Sequence, residues 1–136
     1  MGAWGSNTFD NDTACDWSYG LEEVNDLSRV RETLGSIIEI GDEYLDADNA
    51  CEGLAACEVI ARLKGNWGVC NAYTETVDNW VKSHPSKPSA NLIKMSLAVI
   101  ERVLTTPSEL LELWEEGDAS EWQNAVENLR ERVQSE

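Results

Sequence analysis

Glu58 is the residue with the strongest claim to chemistry. It stands between Cys57 and Val59, inside a stretch that is apolar almost all round. Arg62 follows four residues later, the spacing at which side chains on one helix face meet. Two roles fit this placement. Glu58 pairs with Arg62 at a helix margin, or it is a buried carboxylate with a desolvation-raised pKa and a functional role.

Other groups offer less. Asp46-Ala-Asp48-Asn49 opens like a calcium loop, but Ala50 and Cys51 occupy positions where that loop needs an Asp or Asn and a Gly. Capping of a helix start explains the same acids. Cys15, Cys51, Cys57 and Cys70 are separated by 35, 5 and 12 residues, whereas a zinc knuckle needs two to four. They read as small buried hydrophobes, and no metal site is expected. His84 is the single histidine, in a Pro-rich loop, with no nucleophile beside it in sequence. No catalytic residue and no cofactor are therefore assigned.

Most of the six tryptophans fall on apolar helical faces, where packing is their expected role. Trp114 differs, because Glu115, Glu116 and Asp118 follow it. An aromatic beside a dense acidic patch suits a basic partner protein, and a solvated helix end accounts for it as well. Trp114, Glu115, Glu116 and Asp118 are accordingly a candidate partner surface.

Helices must position these groups. Asn11 and Asp12 offer cap chemistry for a short helix with Ala14, Trp17 and Leu21. Leu27, Val30, Leu34, Ile37 and Ile38 share one face of a second helix, with Asp26 as its cap and Gly41 as its stop. Tyr44 and Leu45 are expected to turn inward from the loop that follows. Residues 49–64 predict the most buried helix, ended by Gly65, with a buried anchor at Trp67. Tyr73, Val77, Trp80 and Val81 fit a shorter helix, broken by Pro85 and Pro88. Residues 89–105 predict another strongly apolar helix. Thr106-Pro-Ser-Glu109 reads as a capping box opening a short helix through Trp114. Trp122, Ala125, Val126, Leu129 and Val133 stripe a last helix. The expectation is an all-α chain: a single compact bundle of about six or seven helices over residues 1–136. Its N-terminal segment is irregular, and the 49–64 and 89–105 helices are central.

The chain has 136 residues, enough to bury a working core, and a formal net charge of −16 from 26 acids and 10 bases. Such a charge opposes binding to nucleic acid or to an anionic membrane. It favours solubility and fast encounter with basic partners. The opening residues carry no basic, apolar signal sequence, and no apolar run approaches a membrane span, so the cytoplasm is the expected compartment.

Met1-Gly-Ala-Trp-Gly5, then Phe9, Asn11-Asp12, Ala14 and Asp16-Trp17, resembles the start of the bacterial domain-of-unknown-function family 4259. The likeness continues through Leu54-Ala-Ala-Cys-Glu58-Val-Ile-Ala61 and reaches Ser108-Glu-Leu-Leu-Glu-Leu-Trp-Glu115. Ser6-Asn-Thr8 departs from it, where a second glycine and often a proline are usual. The resemblance implies a bacterial, mostly helical protein and no particular activity. It marks Trp4, Asn11, Asp12, Asp16, Trp17 and Glu58 as a candidate functional cluster. Asp12 and Asp16 lie four apart on one helix side, so they could join Glu58 in an acidic cluster. Folding roles fit too: a cap at Asn11 or Asp12, and Asp16 as acceptor for an indole N–H.

Charge and the lack of a catalytic set favour an acidic protein-binding module, in particular an immunity- or antitoxin-like inhibitor of a basic bacterial toxin. A small carboxylate-based enzyme or metal-binding domain at Asp12, Asp16 and Glu58 is the alternative, and a scaffold protein is a third. The oligomeric state is not specified by any of these features.

Overall fold

The computed structural model describes residue 3 and residues 5–135; Trp4, one member of the expected cluster, lies outside them. Seven α-helices follow in order: α1 (Asp12–Tyr19), α2 (Ser28–Ile40), α3 (Ala47–Leu63), α4 (Glu75–Ser83), α5 (Ala90–Val103), α6 (Glu109–Glu115) and α7 (Ser120–Gln134). A 3-10 turn at Gly20–Glu23 continues α1. Among the described residues the extended pairing amounts to two isolated bridges, Ala3 with Asn11 and Leu45 with Ser108. The chain is all-α, and no described helix is long and apolar enough to cross a membrane.

Helix α3 is the axis of the fold and touches each of the other six helices. Its sequence explains why. From Ala50 to Arg62 every residue except Glu52 is buried. Small residues keep its surface low enough for neighbours to come close. Gly53 is the clearest case: a Cβ there would lie 2.3 Å from Ile37 Cδ1 of α2 and 3.0 Å from Val99 Cγ1 of α5. Asp46 caps the helix by accepting from Asn49 N at 2.7 Å, and Gly65, at φ +87°, turns the chain away just past its end. The buried apolar residues of all seven helices join in one continuous core.

Cations hold the periphery together by gripping carbonyls. Arg102 of α5 donates to Gly41 O, Glu43 O, Thr105 O and Pro107 O, which fastens the α2–α3 loop to the α5–α6 turn. Lys64 and Asn66 donate to the carbonyls of Val133 and Arg132 at the end of α7. These contacts satisfy backbone groups that a helix end leaves unpaired.

Several local expectations are corrected. Leu45 is fully buried but Tyr44 is 52% exposed, its hydroxyl reaching Glu112 Oε1 at 3.3 Å. Trp67 is 37% exposed and not a buried anchor; it lies beside the Arg62 guanidinium and the Lys82 ammonium, each 5.8 Å from its ring centre. Tyr73 precedes α4 and is exposed, as is Ile38 on α2. The capping box at Thr106 does not form. Helix α6 begins at Glu109, and the Ser108 hydroxyl donates back to Val103 O at 2.7 Å. Glu109 turns to the backbone N–H of Ala47, at 2.8 Å, and so caps α3 across space. His84 is half-buried, stacked on Trp80 at 4.5 Å.

Candidate functional site

Glu58 is 5% exposed and Arg62 2%, so both ions are inside the fold. Arg62 donates through Nη1 to Glu58 Oε1, through Nε to Asp78 Oδ1 at 2.7 Å, and through Nη2 to Val69 O at 2.6 Å. A second arginine arrives from α7. Arg132 places Nη1 on Glu58 Oε1 and Nη2 on Glu58 Oε2, both at 2.9 Å. Thr8 Oγ1 completes the shell by donating to Glu58 Oε2 at 2.9 Å. Asp78 is held in turn by the Thr74 hydroxyl at 2.6 Å. Two arginines thus face two carboxylates, and each carboxylate oxygen has a donor.

This geometry fixes the charge state. Burial alone would push the Glu58 carboxyl up. The Arg132 hydrogen bonds, the Arg62 and Arg132 charges and the Thr8 hydroxyl outweigh burial and hold it below the usual carboxylate range. Glu58 is therefore held as an anion at neutral pH and is not a poised acid. Its expected pairing with Arg62 exists, but at the centre of the fold and not at a helix margin. The network joins α3, α4 and α7 to the segment before α1 and lines a cavity of about 280 Å³ bordered by Asn7, Asp10 and Asn128.

The other residues of the expected cluster take separate duties. Asn11 caps α1, accepting from Ala14 N at 2.8 Å and donating to Thr8 O at 3.1 Å. Asp12 and Asp16 are exposed on α1. Trp17 is buried; its indole donates to Thr33 Oγ1 at 2.9 Å, and Arg29 lies over its ring at 5.1 Å. The Trp80 indole donates to Val24 O at 3.0 Å, so neither of these indoles uses Asp16. Glu58 does not join Asp12 and Asp16 in one acidic site, because its oxygens are taken by Thr8, Arg62 and Arg132. Among the described residues no three His, Cys, Asp or Glu side chains converge in a way that could hold a metal ion.

Asp12 instead borders a larger cavity of about 420 Å³, between the N-termini of α1 and α3 and the paired indoles of Trp114 and Trp122. Those rings stack nearly parallel, 6° apart, with centres 6.0 Å apart. Leu54, Leu110 and Leu113 add apolar wall, and Asp12, Asp46, Asp48 and Glu109 add carboxylates. Trp114 is half-buried, and Glu115, Glu116 and Asp118 beyond it are exposed. Asp118 also serves the fold: Ser120 donates its hydroxyl at 2.7 Å and its N–H at 2.9 Å to the Asp118 carboxylate, which lowers its pKa.

Sequence reasoning missed Arg132, Asp78 and Thr8 around Glu58, and missed Asp46, Asp48 and Glu109 as companions of Trp114. A partial signal existed for one of them. Arg132 lies three residues after Leu129 on the buried stripe of α7, a spacing that sets its stem at the edge of that face.

No curated protein and no solved structure matches the chain. A family model does match, over residues 2–125, and the chain belongs to that family, described as a domain of unknown function (DUF4259).

Proposed function

We propose that the protein is an acidic protein-binding module, an immunity- or antitoxin-like inhibitor that docks on a basic bacterial toxin in the cytoplasm. The observation that carries this reading is the unequal use of the two kinds of charge. Among the described residues, all acidic side chains except Asp10, Glu52, Glu58, Asp78 and Glu109 are exposed. Six of the ten cations are engaged by the fold: Arg29, Arg62, Lys64, Arg102 and Arg132 hydrogen-bond backbone carbonyls, and Arg130 pairs with Glu101 and Glu127, which leaves Arg31, Lys82, Lys87 and Lys94 exposed. Exposed acids therefore far outnumber exposed cations, and the surface is strongly negative. Such a field speeds encounter with a basic partner and fixes its orientation.

The geometry lends less to the enzyme reading. Glu58 is locked as an anion by two arginines, and Asp12 and Asp16 stand apart from it. The decisive test of the binding reading is charge reversal at Glu115, Glu116 and Asp118, combined with other exposed acids. Binding to the basic partner is expected to weaken at least tenfold, or about 1.4 kcal/mol. Undiminished binding would remove the electrostatic basis.

A further inference from the structure

We propose that the cavity between the α1 and α3 N-termini and the Trp114–Trp122 stack receives one arginine side chain of that partner; this rests on the protein-binding reading above. The Glu58 cavity and the Trp114 cavity differ in how their carboxylates are answered. Around Glu58 the chain supplies its own arginines. Around Asp12, Asp46, Asp48 and Glu109 no lysine or arginine appears among the described lining residues.

The local charge stays negative after the helix ends are considered. The N-termini of α1 and α3 contribute about half a positive charge each, against four carboxylates. Three of these carboxylates accept neutral donors: Asp46 from Asn49 N, Glu109 from Ala47 N and Asp48 from the Thr13 hydroxyl. Such bonds orient the groups and leave their charge in place.

The walls suit an arginine more than a small inorganic cation. Leu54, Leu110 and Leu113 offer apolar surface for a methylene stem. Half-buried Trp114, backed by the buried Trp122, offers indole surface for a planar guanidinium, which also matches carboxylates with two donors at once. A volume of about 420 Å³ admits one such side chain with its flanking backbone. Trp114 belongs both to this cavity and to the acidic surface of Glu115, Glu116 and Asp118, so an inserted side chain and a docked basic surface are continuous.

The test is a titration of ¹⁵N-labelled protein with the blocked peptide acetyl-Gly-Arg-Gly-amide, set against the same peptide with citrulline in place of arginine. The indole N–H signals, assigned by single Trp→Phe variants, are the readout. Saturating shifts are expected at Trp114 and Trp122 while Trp17 and Trp80 stay in place. Binding should weaken about tenfold with the citrulline peptide, and likewise in Asp12→Asn/Asp48→Asn, whose two positions are exposed. Asp12→Asn alone, with no hydrogen bond to Thr13 at stake, should give part of that loss. No saturating shift at the two indoles, or equal shifts with citrulline, would overturn the assignment. Should a partner bind through Glu115 and Glu116 while the peptide leaves both indoles unmoved, only the cavity assignment falls. Should the peptide bind while no basic partner exists, the cavity assignment stands and the protein-binding reading falls.

Discussion

Arg132 reaches back 74 residues to set its two terminal nitrogens against the two carboxylate oxygens of Glu58, each at 2.9 Å. This paired contact bolts the last helix to the central one. It also relieves Glu58 of dependence on Arg62, whose remaining donors reach Asp78 and Val69. The network therefore behaves as one unit, and removal of its single shared anion is the most damaging change available to it.

Glu58→Gln keeps the shape and deletes that anion, leaving Arg62 with only Asp78 and Arg132 with no acid. Breaking a buried ion pair from one side costs about 3–5 kcal/mol, a large share of a total stability of about 5–15 kcal/mol. Urea unfolding is expected to show the midpoint falling accordingly with little change in slope. Arg132→Met leaves the Arg62 contact intact and should cost less, about 2 kcal/mol, as for hydrogen bonds to a charged group.

Acidification tests the same group through its charge. The folded-state pKa of Glu58 is lowered, so its contribution is fully present above the unfolded value of about 4.3 and is lost as pH falls through the folded value. Wild-type stability should decline more steeply below about pH 4.3 than that of Glu58→Gln, which lacks this titration. Parallel profiles for the two proteins in that window would show that Glu58 is not held as an anion.

Close approach at Gly53 predicts a packing defect from one methyl group. The added Cβ would sit 2.3 Å from Ile37 Cδ1 and 3.0 Å from Val99 Cγ1, so the Ile37 side chain must move and Val99 must yield slightly. Gly53→Ala should destabilise by about 1–3 kcal/mol despite the better helix propensity of alanine. The thermal midpoint checks it, and an unchanged or raised value would mean that Ile37 simply rotates aside.

Thiol reactivity should follow burial. Desolvation pushes the Cys51 thiol up to about 12, with Asp48 and Glu52 adding to it, and pushes the enclosed Cys57 further in the same direction. Cys70 is exposed. Iodoacetamide at pH 8 is expected to label Cys70 first and to leave Cys51 and Cys57 unmodified until the protein unfolds. Peptide mapping over a time course gives the order directly.

Helix periodicity made most of the fold legible. The all-α class, the positions of the helices and the centrality of α3 and α5 all follow from apolar spacing and from glycine stops such as Gly41 and Gly65. What failed was governed by contacts between distant residues. Local spacing makes Glu109 the closing residue of a capping box, whereas it caps α3 at Ala47. The Gly65–Gly68 turn suggests a buried anchor at Trp67, yet Trp67 lies exposed beside Arg62 and Lys82. The Glu58 site was half legible: the Arg62 contact obeys helical spacing, whereas Arg132 and Thr8 reach it through tertiary packing that leaves no period in the sequence. The Trp114 cavity was legible only on its α6 side, since Asp12, Asp46 and Asp48 join it by the docking of α1 and α3.

The displayed negative charge is proposed to meet a basic protein. The most direct test is capture of partners from the native host by the tagged protein, washed at about 50 mM and about 500 mM salt, with bound proteins quantified by mass spectrometry. One basic protein at equal stoichiometry is expected at low salt and is expected to be released at high salt. A blank at low salt, or a partner that is acidic and salt-insensitive, would contradict that role.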